Sequence, residues 1–106
     1  MISTHILDTH LGQPAANVTI RLYNAEGHCL ATSQTNQDGR VSDFALTEFL
    51  IGDYSLEFEI AAYFQKLSTP TFFPKAIIHF SVTDAQQHYH IPLLISPFAY
   101  STYRGS

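Results

Sequence analysis

Five lysines and arginines set against nine carboxylates leave this chain of 106 residues with a formal net charge of -4. So few cations cannot build the basic stripe that follows a phosphate backbone, which argues against nucleic acid as the partner. Charged residues of all kinds make up only 13%, against the usual quarter or so. A small domain that poor in charge exposes apolar surface, which points to burial in an oligomer. Cys29 stands alone, so no intrachain disulfide and no cysteine-based metal motif is available. No apolar run approaches the length of a membrane span. The opening Met1-Ile2-Ser3-Thr4-His5 has neither a basic n-region nor an apolar h-region, so the expected location is the cytoplasm. Nucleophile elbow, P-loop and dinucleotide fingerprint are all missing.

What is present is period-two alternation. Val18, Ile20 and Leu22 fall on one face and Thr19, Arg21 and Tyr23 on the other. Tyr54, Leu56, Phe58 and Ile60 alternate with Ser55, Glu57 and Glu59, and Ile78, Phe80 and Val82 with Ile77, His79 and Ser81. Such alternation marks half-buried antiparallel strands. Turn residues punctuate it at Gly12-Gln13-Pro14, Asn24 to Gly27, Asn36 to Gly39, Gly52-Asp53 and Asp84 to Gln86. One short helix fits, near Ala61 to Lys66. The length allows one domain, residues 1–106. The expected fold is therefore an all-β sandwich with a single short helix.

Six histidines are many for this length. His88 and His90 are two apart, so on one strand they share a face. Two imidazoles alone do not close a zinc site, and no further ligand pattern accompanies them, so neither a metal nor a cofactor is expected. His5 on the first strand reads, taken alone, as a structural histidine. His10 and His28 adjoin turns and His79 lies on a polar face, all three positions for solvated rings. Arg40 follows the turn Asn36-Gln37-Asp38-Gly39 and reads, in isolation, as a surface cation. The closing run from His88 to Ser106 is unusual, because chain ends normally fray and carry solubilising residues. This one concentrates tyrosines, phenylalanine, arginine and two histidines.

Three segments carry a resemblance. Ser3-Thr4-His5-Ile6-Leu7-Asp8-Thr9 opens the chain, Thr35-Asn36-Gln37-Asp38-Gly39-Arg40 lies in the middle, and His88-Tyr89-His90-Ile91-Pro92-Leu93-Leu94 through Tyr103-Arg104-Gly105-Ser106 closes it. Together they resemble the transthyretin-like family, and specifically its 5-hydroxyisourate hydrolase branch. The terminal Tyr-Arg-Gly-Ser is the most specific element, since the hormone-carrying transthyretins lack it. The resemblance implies two four-stranded sheets, about eight strands in all, and a homotetramer built as a dimer of dimers. Active sites would lie in the channel between dimers. It implies His5, Arg40 and His90 as catalytic residues, and Tyr103, Arg104, Gly105 and Ser106 as substrate-binding ones. The implied reaction is hydrolysis of 5-hydroxyisourate in urate degradation, with Arg40 and Arg104 clamping carbonyl oxygens. The rival reading is a carrier of small aromatic ligands on the same scaffold. Asn17, Glu59, Ala61 and Lys75 depart from the family's usual residues, putting local loop geometry and surface charge in question rather than activity.

Overall fold

A computed structural model describes residues 1–106. The strands are β1 (Ile2–Asp8), β2 (Gln13–Pro14), β3 (Thr19–Asn24), β4 (Cys29–Gln34), β5 (Arg40–Val41), β6 (Gly52–Phe58), β7 (Ala76–Val82), β8 (Tyr89–Ser96) and β9 (Ala99–Thr102), with one helix, α1 (Ile60–Lys66). They form two sheets. One has the order β2-β1-β8-β9 with β5 also paired to β1, and the other the order β4-β3-β6-β7. The expected two-sheet sandwich with one short helix is what the chain forms. The extra strand is the stub β2, held to two residues at an edge because Pro14 has no N–H to continue a ladder.

Alternation in the sequence becomes burial in the fold. Ile20, Leu22, Leu56, Phe58, Leu93 and Ile95 all sit at 1% exposure or less between the sheets. Reading Ile60 as a strand residue needs correction: β6 stops at Phe58, and Ile60 opens α1, where it is buried with Tyr63 and Phe64. Periodicity could not place that break, because Ile60 is core-facing in either geometry. Asp8 is fully buried and anchors α1 to the first sheet. Its carboxylate accepts from the Tyr63 hydroxyl at 2.7 Å and from the His10 and Leu11 amides at 2.9 and 3.0 Å. Burial, and then this bond to Asp8, raises the Tyr63 phenol well above its ordinary value.

Three of the four departures from the family pattern have a local setting in the structure. Asn17 has φ 62, a left-handed position that glycine fills at no cost and asparagine tolerates better than most residues. Lys75 lies beside two carboxylates, bonding Glu57 and standing 3.9 Å from Glu59, which itself accepts from Arg21 at 2.7 Å.

The central relation for function is the parallel pairing of β1 with β8. It runs from Ile2 opposite Tyr89 to Asp8 opposite Ile95, placing Ser3 beside His90 and His5 beside Pro92. On its other side β1 pairs antiparallel with β5, which puts His5 opposite Arg40. Since Ile2, Thr4, Ile6 and Asp8 face the core, Ser3 and His5 face outward.

Candidate active site

One outer face of the first sheet gathers residues from four distant parts of the chain. β1 supplies Ser3 and His5, β5 supplies Arg40, β8 and its approach supply His90 and His88, and the closing segment returns to β8. Arg40 is aimed by the turn before it. The Asn36 side-chain oxygen accepts from the Asp38 and Arg40 amides at 2.9 and 3.0 Å, and the Gly39 amide bonds the Asn36 carbonyl at 2.9 Å. Gly39 is required twice over. Its φ is +73, and a Cβ there would lie 2.6 Å from the Ile6 carbonyl oxygen.

The closing segment is tied down rather than frayed. After β9 it continues antiparallel to β8, and Gly105 bridges to His90 with its amide donating to the His90 carbonyl at 2.9 Å. A Cβ on Gly105 would lie 2.5 Å from Cδ2 of the His90 ring. Only glycine lets the chain pass this close.

Ser3, Arg40, His88, His90 and Ser106 line one cavity of about 260 Å³. His5 stands next to it across from Arg40. No Asp or Glu lines it, and no cluster of three metal-ligating side chains occurs anywhere in the chain. The Ser3 hydroxyl sits 2.8 Å from His90 Nδ1 and 2.7 Å from His88 Nε2. Burial lowers the pKa of both His5 and His90 below 6.5, and Arg40 beside each lowers it further. At His90 the neighbouring His88 and His5 act in the same direction and a hydrogen bond to the Ser3 backbone opposes them, while at His5 the Asp38 backbone and charge oppose the lowering. Both rings are therefore neutral near pH 7, the form that can accept a proton.

The sequence-derived site residues divide between two cavities. His90, Arg40 and Ser106 share the one just described. Tyr103 and Arg104 line a second, of about 300 Å³, which reaches from β7 across Tyr89 and Ile91 and touches His90 at its edge. Arg104 does not line the cavity that holds Arg40 and Ser106. Its guanidinium lies 4.8 Å from the Tyr89 ring centroid and donates to the Gln87 amide oxygen at 2.9 Å. These contacts tie the closing segment to Tyr89 and Gln87. Sequence reasoning gave Ser3 no role and set His88 aside. The His88-x-His90 spacing was the available signal; that Ser3 lies between their rings depends on the β1–β8 register. His10, His28 and His79 are exposed, as expected.

The HIUase/Transthyretin family model matches residues 2–105. The chain belongs to this family. It is 47% identical to 5-hydroxyisourate hydrolase 2 of Rhizobium meliloti, the alignment covering 99% of this chain and 95% of that protein. Among solved structures, Klebsiella pneumoniae 5-hydroxyisourate hydrolase superimposes with a TM-score of 0.91 at 42% identity, covering 99% of this chain and 98% of that one. Sea bream transthyretin in complex with thyroxine gives the same TM-score, 0.91, at 29% identity, covering 98% and 93%. The backbone thus fits a 5-hydroxyisourate hydrolase and a transthyretin equally well, and the side chains on the outer face of the sheet must decide between them.

Proposed function

We propose that this chain hydrolyses 5-hydroxyisourate. The observation that carries the reading is two imidazoles held neutral beside a guanidinium on one sheet face, in a chain 47% identical to a named 5-hydroxyisourate hydrolase. A carrier of apolar aromatic ligands has no use for such a cluster, and the hydrolases are also nearer in sequence than the transthyretin.

Water adds to the carbonyl carbon C6 of the substrate, the C6–N1 bond breaks, and N1 leaves with a proton. The product is 2-oxo-4-hydroxy-4-carboxy-5-ureidoimidazoline. The neutral rings of His5 and His90 take the proton from water and return it to the leaving nitrogen. Arg40 holds the carbonyl oxygen as negative charge develops on it, a task its planar fork suits. Ser106, in the same cavity, orients the flat heterocycle by hydrogen bonding. Tyr103 closes the neighbouring side, and Gly105 allows the segment to approach His90. Arg104 contributes by fixing that segment. No cofactor enters this scheme.

The chain works as a homotetramer, a dimer of dimers, in the cytoplasm. Supporting the assembly are the low charge content and the exposed Phe72, Phe98 and Tyr103, which one protomer leaves uncovered. No helix is long and apolar enough to cross a membrane. Stopped-flow absorbance of freshly generated 5-hydroxyisourate tests the reaction: micromolar protein should shorten the decay well below its spontaneous time. Superimposed traces with and without protein would refute it.

A further inference from the structure

The hydroxyl of Ser3 stands between two imidazoles, 2.8 Å from His90 Nδ1 and 2.7 Å from His88 Nε2. A hydroxyl has one proton to give, so it can donate to only one ring. If it donates to His88, it accepts from His90 Nδ1–H, and the other nitrogen of His90, Nε2, is bare. If it donates to His90 Nδ1, the His90 proton must sit on Nε2, and the ring offers the substrate a donor instead of a base. A third arrangement, with Ser3 accepting from both rings, strands its own proton. Ser3 is 4% exposed, and leaving a buried donor unmatched is unfavourable.

We propose that His88, acting through Ser3, determines which ring nitrogen of His90 is bare: neutral His88 accepts the Ser3 proton and thereby exposes His90 Nε2 as the base. Ser3 and His88 are positioning residues in this arrangement. They do for His90 what a buried carboxylate does for a catalytic histidine elsewhere, fixing its tautomer. No Asp or Glu side chain lines this cavity to do so. The arrangement is also reversible. When His88 is protonated its Nε2 becomes a donor, Ser3 turns to give its proton to His90 Nδ1, and the His90 proton moves to Nε2. His88 is exposed. The other charged or titratable groups facing this trio are Arg40 on β5, His5 on β1, the terminal carboxylate of Ser106, and the N-terminal ammonium of Met1, which donates to the Gln87 carbonyl at 3.4 Å. Arg104 stacks on Tyr89 and donates to the Gln87 amide oxygen, next to His88.

This inference rests on His90 as a base of the proposed hydrolysis, and the experiment separates the two claims. Nitrogen NMR of histidine-labelled protein at pH 8 reads the His90 tautomer with no substrate present. The full-length protein should show Nδ1 protonated and Nε2 bare. His88→Phe removes the acceptor for the Ser3 proton, so His90 should convert to the Nε2–H form. In the same variant kcat/KM should fall about 10-fold or more, part of the 10²- to 10⁴-fold that general acid–base catalysis supplies. His88→Gln offers an amide oxygen to Ser3 and should restore both the tautomer and most of the activity. Because the side chain at position 88 is exposed, neither variant threatens the fold. A His90 ring already carrying its proton on Nε2, or one unchanged by His88→Phe, would overturn the proposal. Tautomers that follow the pattern in a protein that does not accelerate hydrolysis would uphold the wiring and remove the hydrolase reading.

Discussion

Gly105 lies against the edge of the His90 imidazole, so close that a methyl group there would stand 2.5 Å from Cδ2, while its amide donates to the His90 carbonyl at 2.9 Å. The closing segment therefore holds the ring in place as well as bounding the cavity. Gly105→Ala should displace the ring and lower kcat by about 10-fold or more, on the scale of a misplaced acid–base group. Its far-ultraviolet circular dichroism should stay unchanged, because the clash is with one ring outside the core. Normal turnover in this variant would show that the ring has room to move.

His5→Ala and His90→Ala should each reduce turnover by about 10²-fold or more, the usual loss for a general acid or base. His28→Ala, whose ring is exposed at a turn far from the cavity, is the control and should keep full activity. Steady-state kinetics on folded protein checks all three. Near-normal turnover of either of the first two would remove that residue from the chemistry.

Arg40→Lys keeps the charge and loses the planar fork, so it should behave as a severe variant rather than a conservative one. The specificity constant is the readout. An unchanged value would reduce Arg40 to a surface cation.

The direction of the histidine shifts fixes the pH dependence. Both His5 and His90 are held below 6.5 by burial and by Arg40, so the neutral base persists as pH falls through 6.5 and is lost only below it. Arg40→Gln removes one lowering influence, and the acid limb of its residual activity should move to higher pH. Stability follows the same sign. Between the lowered folded values and 6.5 the unfolded chain binds more protons, so stability falls as pH drops through that window. Activity and denaturant midpoints measured across pH 5 to 8 check both statements.

Tyr63→Phe separates structure from chemistry. It strips one hydrogen bond from the buried Asp8 carboxylate, which should cost about 1.5–3 kcal/mol. Denaturant unfolding should register that loss, while turnover of the folded protein stays near normal.

Much of this molecule is legible in the residues themselves. Alternation at Val18 to Tyr23 and Ile77 to Val82 gives strands and their core faces because burial on one side is a local property. The asparagine at position 17 makes sense once its positive φ is known, and φ is not written in composition. What the sequence hides are relations between distant strands. Ser3 has no partner within its own segment, and it meets His88 and His90 only because β1 and β8 pair in parallel with one register. Arg104 belongs to the same tetrapeptide as Ser106, yet it lies over Tyr89 and lines a different cavity. A motif names residues together; the fold decides which of them face the same cavity.

The most direct test compares three stopped-flow traces of freshly generated 5-hydroxyisourate: no protein, the natural chain, and the double variant His5→Ala/His90→Ala shown to be folded. The natural chain should consume the substrate far faster than spontaneous decay, and the double variant should fall back nearly to the protein-free trace. A double variant as fast as the natural chain, or a natural chain no faster than buffer, would contradict the assignment of hydrolysis to this face of the sheet.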